Sequence, residues 1–318
     1  MHALLCDGEP PRLVEDRAEP VCGPGEALLR LRVAGICDTD LQLARGYMAF
    51  HGVLGHEFVG EVLMATDGGL RGRRVVADIN AGCGTCDDCT LRDGHHCARR
   101  TVLGIVGRDG ALAERFALPE RCLVAVPEGL ADDLAVFAEP AAAALHVVDD
   151  LPPDEGPVVV LGDGKLGLLV AMALVAAGRE TVVVGHHPHK LALAAAAGAG
   201  TLLEAEGRAA LVGVPAVVEA TGSASGVALA LALARPRGTV ILKTTVAGAT
   251  QVDLSPVVVN ELRVVGSRCG NIARAVALLA EGRVNPLPLV AARYPLAAAD
   301  RALEHAARPG TLKVLVDA

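Results

Sequence analysis

Residues 158–167 read VVVLGDGKLG, an apolar run followed directly by a glycine motif. The run predicts a buried strand, and Gly162, Gly164 and Gly167 form GxGxxG where a helix begins. In this context the first glycine permits a tight turn, the second lets the backbone approach a pyrophosphate, and the third lets helix and strand pack closely. The stretch predicts a dinucleotide site, and a glycine turn in another α/β protein is the alternative.

An alternation of strands and helices continues beyond the glycine motif. A long apolar helix is predicted over residues 165–177, a second strand over 181–185, and an Ala-rich helix from near His189. Later strands are predicted at 216–219, 239–243 and 263–265. This series predicts a doubly wound parallel sheet.

The end of the second strand bears on the choice of cofactor. NAD-binding proteins place Asp or Glu there for the ribose 2′-hydroxyl, but this strand ends in Gly185, followed by His186, His187 and Lys190. A missing acid and nearby cations favour NADP(H) over NAD(H), and a solvated loop is the alternative. The predicted cofactor contacts are Gly162, Gly164, Lys165, Leu166, Gly167, Gly185, His186, His187, Lys190, Thr221 and Gly222.

The first third of the chain has a different pattern. Residues 26–33 alternate apolar and polar side chains, and turn residues recur up to about Pro127, which predicts short antiparallel strands. The last stretch, 294–318, predicts a short helix and a strand. A length of 318 residues predicts two domains, and a content of 52% hydrophobic but only 2% aromatic residues predicts cores of Ala, Val and Leu.

Charge and hydropathy exclude several classes of partner. The net charge of −8 is dispersed, which argues against nucleic acid or anionic lipid and favours a small molecule. No apolar run approaches the roughly 20 residues of a membrane span, and the N-terminus shows no secretory leader. We therefore expect a cytoplasmic protein without a membrane segment.

Four of the nine cysteines are clustered. Cys83, Cys86, Cys89 and Cys97, hereafter the cysteine quartet, are spaced C-x2-C-x2-C-x7-C. Four thiolates at this spacing predict a closed tetrahedral zinc site with a structural role, and an iron–sulfur cluster is the alternative. The neighbouring His95 and His96 are expected to be exposed polar residues and not ligands.

A second, dispersed set of possible ligands comprises Cys37 in GICDTDL, His56 and Glu57 in GHEFVGEV, and Glu139 in FAEP. In this order, together with the cysteine quartet and LGDGKLG, the motifs resemble the zinc-containing medium-chain dehydrogenase/reductase superfamily, which includes alcohol, sorbitol and threonine dehydrogenases. The resemblance covers nearly the whole chain. It implies a GroES-like, mostly β catalytic domain over 1–126 and 286–318, and a Rossmann dinucleotide-binding domain over 127–285.

The resemblance also implies roles for single residues. Cys37 and His56 match ligands of a catalytic zinc, Glu57 is a ligand or near-ligand, and Glu139 binds the ion directly or through a water. Asp40 orients the zinc-bound histidine, and Thr39 takes the substrate proton and passes it toward solvent.

Three further expectations follow from the resemblance. Lys313 is expected to reach the cofactor pyrophosphate. Gln42 replaces a histidine that relays the proton in many relatives, so the proton exit route stays open. The chain is expected to form a homodimer or homotetramer.

The expected function is hydride transfer between a secondary alcohol, polyol or amino alcohol, or the matching carbonyl compound, and NADP(H). Two zinc ions per chain are expected, one catalytic and one structural. One alternative is a zinc-independent NADPH reductase of activated double bonds, and the other is a non-catalytic structural or regulatory protein that binds the cofactor. Zinc content and the effect of losing Cys37 distinguish the three.

Overall fold

The computed structural model of the chain describes residues 1–8, 10–153, 156–245 and 251–318. These residues divide into two units, each with sheets of its own. Unit 1 comprises Met1–Glu139, Ile272–Gly282 and Pro286–Ala318. Unit 2 comprises Pro140–Asn271 and Arg283–Asn285.

The described ranges contain strands and helices along their whole length. The strands are β1 (Ala3–Cys6), β2 (Arg12–Val14), β3 (Glu26–Ile36), β4 (Gly52–Val53), β5 (Glu57–Met64), β6 (Arg74–Ala77), β7 (Asn80–Ala81), β8 (Thr101–Val102), β9 (Arg115–Pro119), β10 (Leu123–Ala125), β11 (Val158–Leu161), β12 (Thr181–Gly185), β13 (Gly200–Leu203), β14 (Val214–Glu219), β15 (Ala234–Leu242), β16 (Arg263–Gly266), β17 (Val290–Pro295) and β18 (Lys313–Asp317). The α-helices are α1 (Asp38–Leu43), α2 (Asp87–Leu91), α3 (Asp132–Ala135), α4 (Ala138–Asp150), α5 (Lys165–Ala176), α6 (Pro188–Ala196), α7 (Glu204–Ala210), α8 (Ala224–Leu233), α9 (Ser255–Val259), α10 (Ile272–Ala280) and α11 (Ala299–Ala306). Within the described ranges, none of the helices combines the length and the apolar character that crossing a bilayer requires.

Unit 1 is mostly β and is organised around β3. This strand pairs antiparallel with β5, β9 and β18 in a seven-stranded sheet, so it has neighbours on both edges. Ala27, Leu29 and Leu31 are buried and Arg30 is exposed, as the alternation in the sequence predicts. The strand continues beyond the predicted end to Ile36, because the flanking strands β5 and β18 still pair with it there.

Unit 1 extends further along the chain than the sequence predicts. The predicted boundary follows residue 126, whereas the unit continues to Glu139. Arg74 in β6 holds this segment, because its guanidinium donates to the Pro127 carbonyl at 2.9 Å and pairs with Asp132. Helix α10 also belongs to unit 1, where it packs against α3.

Unit 2 contains the predicted parallel sheet with helices between its strands. The strand order is β13-β12-β11-β14-β15-β16, with every neighbouring pair parallel. The strand order reverses between β11 and β14, and in such sheets ligands bind beyond the carboxyl ends of the strands at this point. The predicted α/β fold class is therefore confirmed, and the glycine motif follows β11 directly.

Candidate metal centres and dinucleotide site

Strand pairing in unit 1 brings Cys37, His56 and Glu57 together. Cys37 follows the last residue of β3, His56 precedes the first residue of β5, and Gly35 lies opposite Glu57 in the antiparallel register. The thiol, imidazole and carboxylate atoms that can bind a metal lie within 4.8 Å of one another. A thiolate, an imidazole and a carboxylate in this proximity fit zinc with an open position for substrate. We call these residues the three-ligand group.

Asp40 supports the three-ligand group from a fully buried position. Its carboxylate accepts hydrogen bonds from the N–H groups of Cys37 at 2.8 Å and Gly55 at 3.2 Å. It also lies 3.2 Å from Nδ1 of His56, which leaves Nε2 of this ring for a metal. Burial opposes the charged form of Asp40, but the charge of His56 and the two N–H donors lower the pKa of this carboxyl below its usual value.

Thr39 and Glu139 take different positions relative to this group. Thr39 lies half-buried in α1, with its hydroxyl 3.7 Å from the Cys37 thiol. Glu139 lies half-buried in the first turn of α4, and its carboxylate is not one of the atoms that gather within 4.8 Å. In this structure the three-ligand group therefore contains Glu57 and not Glu139.

Lys313, which the resemblance places at the cofactor pyrophosphate, contacts a member of the three-ligand group in this structure. Because β18 pairs with β3, Lys313 lies beside Glu57, and its ammonium pairs with Oε2 of that carboxylate. The side chain is buried, and the ammonium also approaches the carbonyl of Ile36 at 3.4 Å. Burial disfavours the cation, but the charges of Glu57 and Cys37 raise the pKa of Lys313 above its usual value. The Lys313 ammonium therefore lies inside unit 1, beside the carboxylate of the three-ligand group.

The cysteine quartet has the spacing of a mononuclear metal site. The Sγ atom of Cys86 lies 3.6 Å from that of Cys89 and 3.7 Å from that of Cys97. The Sγ atoms of Cys83 and Cys89 are 4.0 Å apart. Four sulfurs bound to one zinc at about 2.3 Å stand about 3.8 Å from one another. The four thiols therefore fit a single tetrahedral ion.

Hydrogen-bond donors face two of the four sulfurs of the quartet, those of Cys83 and Cys97. The backbone N–H groups of Cys83 and Arg99 each donate to the sulfur of Cys97 at 3.4 Å, and the Arg99 guanidinium donates to the sulfur of Cys83 at 3.1 Å. Hydrogen bonds from Thr85 contribute to lowering the pKa of the Cys83 thiol to about 5. These donors favour thiolates, the forms that bind metal, at Cys83 and Cys97. At Cys89 a hydrogen bond from Gly84 lowers the pKa, but burial and the neighbouring thiols raise it to about 11.

The two histidines of the quartet loop differ from each other. His96 is exposed, as expected, but His95 is buried, with Nε2 2.7 Å from the carboxylate of Asp78. The expectation of an exposed His95 was wrong because this partner lies beside β7, outside the loop, and cannot be read from the local sequence. Neither histidine belongs to the quartet of ligand atoms.

The glycine motif forms a cradle at the carboxyl end of β11. A Cβ on Gly162 would lie 2.6 Å from the carbonyl oxygen of Ala220, and one on Gly167 would lie 2.1 Å from that of Gly162. These two glycines are required by close packing. A Cβ on Gly164 would meet no atom within 4 Å, so this residue faces open space, as backbone approach to a pyrophosphate requires. The loop therefore fits a dinucleotide.

The other predicted cofactor residues surround this cradle. Lys165 is buried and Leu166 half-buried in the first turn of α5. Thr221 and Gly222 follow β14, the neighbour of β11 in the sheet. The N–H and hydroxyl of Thr221 both donate to the buried carboxylate of Glu219 at 2.8 and 2.6 Å, which fixes this turn beside the glycine loop.

The carboxylate of Asp163, which was not among the predicted cofactor residues, lies against the end of β12. Asp163, between the first two glycines of the motif, accepts hydrogen bonds from the N–H groups of His186 at 2.8 Å and His187 at 2.7 Å. A Cβ on Gly185 would lie 2.6 Å from this carboxylate. The available signal was an acid inside the glycine motif combined with a glycine at the end of the next strand.

The three side chains predicted as cations for a 2′-phosphate near the end of β12 either face carboxylates or are buried. The His187 ring lies 3.1 Å from Asp163, and the His186 ring lies 2.9 Å from the carboxylate of Glu204. The side chain of Lys190 is buried. A phosphate at this end of the strand would therefore meet two imidazoles that already face carboxylates.

Comparison with known proteins gives matches to both halves of the chain. Residues 23–128 match the family described as alcohol dehydrogenase GroES-like domain, and residues 166–281 match the family described as zinc-binding dehydrogenase. The L-threonine 3-dehydrogenase of Chelativorans sp. (strain BNC1) is 35% identical over 186 residues, which are 55% of this chain and 54% of that protein. The chain thus spans about half the length of this curated relative.

Solved structures extend the likeness to the whole chain. The alcohol dehydrogenase of Thermus sp. ATN1 is 30% identical with a TM-score of 0.88, covering 100% of this chain and 99% of that one. A protein of Sinorhizobium meliloti 1021, solved bound to NADP, is 29% identical with a TM-score of 0.88 over the same shares. Together with the two family matches, these likenesses establish that the chain belongs to the zinc-containing medium-chain dehydrogenase/reductase superfamily, a family of oxidoreductases.

Proposed function

We propose that the protein is a zinc-dependent alcohol dehydrogenase, which transfers a hydride between an alcohol and a nicotinamide cofactor or runs the reverse reaction on the carbonyl compound. The substrate class is a secondary alcohol, a polyol or an amino alcohol. The observation that carries the proposal is the three-ligand group, whose thiol, imidazole and carboxylate atoms lie within 4.8 Å of one another. A second, closed quartet serves a structural zinc.

The chemistry divides between the bound groups and the side chains of this chain. When bound, zinc supplies Lewis acidity and the nicotinamide cofactor supplies or accepts the hydride. Asp40 holds His56 in the orientation that presents Nε2 to the metal. The Thr39 hydroxyl, 3.7 Å from the Cys37 thiol, would relay the proton of the alcohol by accepting it and releasing its own toward solvent. Gln42 cannot take part in that release as an imidazole would.

The alternatives differ from this proposal in what they require of Cys37, His56 and Glu57. A zinc-independent reductase of activated double bonds has no use for a buried imidazole and carboxylate beside a thiol. A structural or regulatory cofactor-binding protein requires only the quartet and the glycine loop. The grouping of three metal-binding side chains at the end of β3 favours the dehydrogenase over both.

Other parts of the expectation stay predictions. Homodimer or homotetramer formation and a cytoplasmic location rest on the sequence and the resemblance alone. The preference for NADP(H) also stays a prediction, and the carboxylates beside His186 and His187 weaken the argument that supports it.

The test is the zinc content of purified protein, measured by elemental analysis together with titration by NADH and NADPH. We expect two zinc ions per wild-type chain and one in Cys37→Ser, with cofactor binding unchanged. Cys86→Ser is the matched control, because it exchanges the same atom and removes the other ion. If wild type and Cys37→Ser both hold one zinc while Cys86→Ser holds none, the proposal of a catalytic zinc is contradicted.

A further inference from the structure

The glycine loop supplies the acid that β12 lacks. This strand ends in Gly185, and a Cβ there would stand 2.6 Å from Oδ2 and 2.7 Å from Cγ of Asp163. The carboxylate of Asp163 therefore fills the space that a side chain at position 185 would occupy. An acid is missing from the sequence position at which the ribose is normally bound, but a carboxylate is present at that place in the fold.

The Asp163 carboxylate is held firmly and is charged. Its Oδ2 accepts the backbone N–H groups of His186 and His187, and its Oδ1 lies 3.2 Å from the His187 ring. The residue is only 6% exposed. Burial opposes ionisation, but the N–H donors and the His187 ring lower the pKa of Asp163 below its usual value. At neutral pH the end of β12 therefore carries a fixed negative charge.

The same contacts use the groups that a 2′-phosphate would need. Successive backbone N–H groups at a turn form a concavity that binds anions, and here Asp163 is the anion that occupies it. The His187 ring faces the same carboxylate, and the His186 ring faces Glu204. An added phosphate would lose these donors to an internal acid and would be repelled by it.

A ribose hydroxyl meets the opposite situation. An ionised carboxylate has about four lone-pair sites, so Asp163 retains capacity to accept one more hydrogen bond beyond those from His186 and His187. A hydroxyl that donates to a buried carboxylate makes a charge-assisted bond, which is stronger than a neutral one. The glycine loop that holds Asp163 also faces the open space beside Gly164, where the cofactor backbone is expected.

We propose that Asp163 determines the cofactor choice of this protein by accepting a hydrogen bond from the ribose 2′-hydroxyl and excluding a 2′-phosphate, so that NAD(H) binds more tightly than NADP(H). This inference rests on the proposed function, because it concerns which nicotinamide cofactor serves the reaction. It reverses the preference predicted from the sequence.

Equilibrium binding tests the inference without turnover. The protein with its zinc is titrated with NADH and with NADPH, followed by the fluorescence of the reduced nicotinamide, in a chain that has no Trp to contribute emission. Calorimetry with 5′-AMP and with 2′,5′-ADP, which differ only by the 2′-phosphate, isolates the adenosine end. We expect wild type to bind NADH and 5′-AMP at least about tenfold more tightly than their 2′-phosphorylated counterparts.

The variant Asp163→Asn removes the charge at nearly constant volume. It is expected to move the ratio of NADPH to NADH affinity toward NADPH by about tenfold or more. The matched control is Glu261→Gln, which makes the same change of charge in unit 2 at an exposed carboxylate paired with Arg237 at 2.7 Å. This control is expected to leave the ratio within about twofold, because both side chains are exposed and solvent screens their charges.

The outcomes separate the inference from the function on which it rests. Wild type that binds NADPH as tightly as NADH, or more tightly, overturns the inference and leaves the dehydrogenase proposal intact. Asp163→Asn that folds with an unchanged ratio overturns it as well. If the variant does not fold, as judged by circular dichroism, the wild-type titrations with the reduced cofactors and with 5′-AMP and 2′,5′-ADP still decide. Wild type that binds neither cofactor contradicts the proposed function itself.

Discussion

The cysteine quartet and the three-ligand group lie in the same unit but are assembled in different ways. The quartet comes from one loop, residues 83–97, and its support is local, because Thr85 lies within that loop and Arg99 lies two residues after it. The three-ligand group is built where β3, β5 and β18 meet, and its support comes from positions far apart in the sequence. The quartet therefore depends on a loop conformation, whereas the three-ligand group depends on the register of a sheet.

The largest expected effect concerns the ion pair behind the three-ligand group. Lys313→Met leaves the buried Glu57 carboxylate without its cation, which is expected to cost about 3–5 kcal/mol in the free energy of unfolding. Denaturant unfolding followed by circular dichroism measures it. The double variant Lys313→Met/Glu57→Gln, which removes both charges, should recover much of the loss. A single variant as stable as wild type would show that this support is dispensable and would break the contrast between the two groups.

The next effect concerns the orientation of the histidine ligand. Asp40→Asn removes the charge facing His56 and is expected to weaken zinc binding at the three-ligand group by about 10–100-fold. Competition with a chromophoric chelator measures the affinity. Asp38→Asn, an exposed neighbour in the same helical turn, is the control. Equal affinities in wild type and Asp40→Asn would mean that the buried carboxylate serves only to cap the helix.

A smaller effect is expected at the cysteine quartet. Arg99→Gln removes the guanidinium that donates to the Cys83 sulfur but keeps the backbone N–H that donates to Cys97. Zinc affinity at this site is expected to fall by less than about tenfold, because only one hydrogen bond to a quartet sulfur is lost, together with the exposed bond from Arg99 to the Thr85 hydroxyl. The same chelator competition provides the measurement, with Arg92→Gln on the same loop as control. A loss larger than that of Asp40→Asn would reverse the comparison.

The smallest effect concerns the pair that joins β3 to the chain following the quartet. Glu26 lies 2.8 Å from Arg108, and although burial disfavours its charged form, the Gly23 N–H and Arg108 lower its pKa below the usual value. Because the pKa of Glu26 is lower in the folded than in the unfolded state, its charged form stabilises the folded state at neutral pH. This contribution disappears as the pH falls through the folded-state pKa.

Glu26→Gln should therefore lower stability by about 1 kcal/mol near neutral pH and by less at acid pH. Thermal unfolding of wild type and variant at both pH values measures this. A difference that does not change with pH would show that the charge of Glu26 contributes nothing.

Local patterns carried much of the prediction. The strand, glycine motif and helix at residues 158–176 form as the sequence indicates, because an apolar run and three glycines define them without help from distant residues. The cysteine quartet is readable for the same reason, since its four thiols lie on one short loop. The dispersed ligands are predicted only from the family resemblance, because the sequence around Cys37 does not indicate that the pairing of β3 with β5 brings His56 beside it.

The contacts that the sequence did not reveal are made between elements. Lys313 was expected at the pyrophosphate, but pairing of β18 with β3 buries it against Glu57. Asp163 was overlooked because its partners follow the next strand and its contact requires a glycine at position 185. Unit 1 continues to Glu139, beyond the expected boundary at 126, and the first part of this segment is held by contacts from Arg74 in β6.

The position of the end of β3 between β5 and β18 limits which insertions and deletions this part of the chain can accept. Adding or deleting one residue near the end of the strand would turn the side chains beyond that point to opposite faces. Cys37 would then move away from His56, and Lys313 would face a different part of the strand. Surface loops elsewhere can change length at little cost. Insertions and deletions between residues 33 and 37 should therefore be tolerated only when the register of the paired strands β5 and β18 shifts with them.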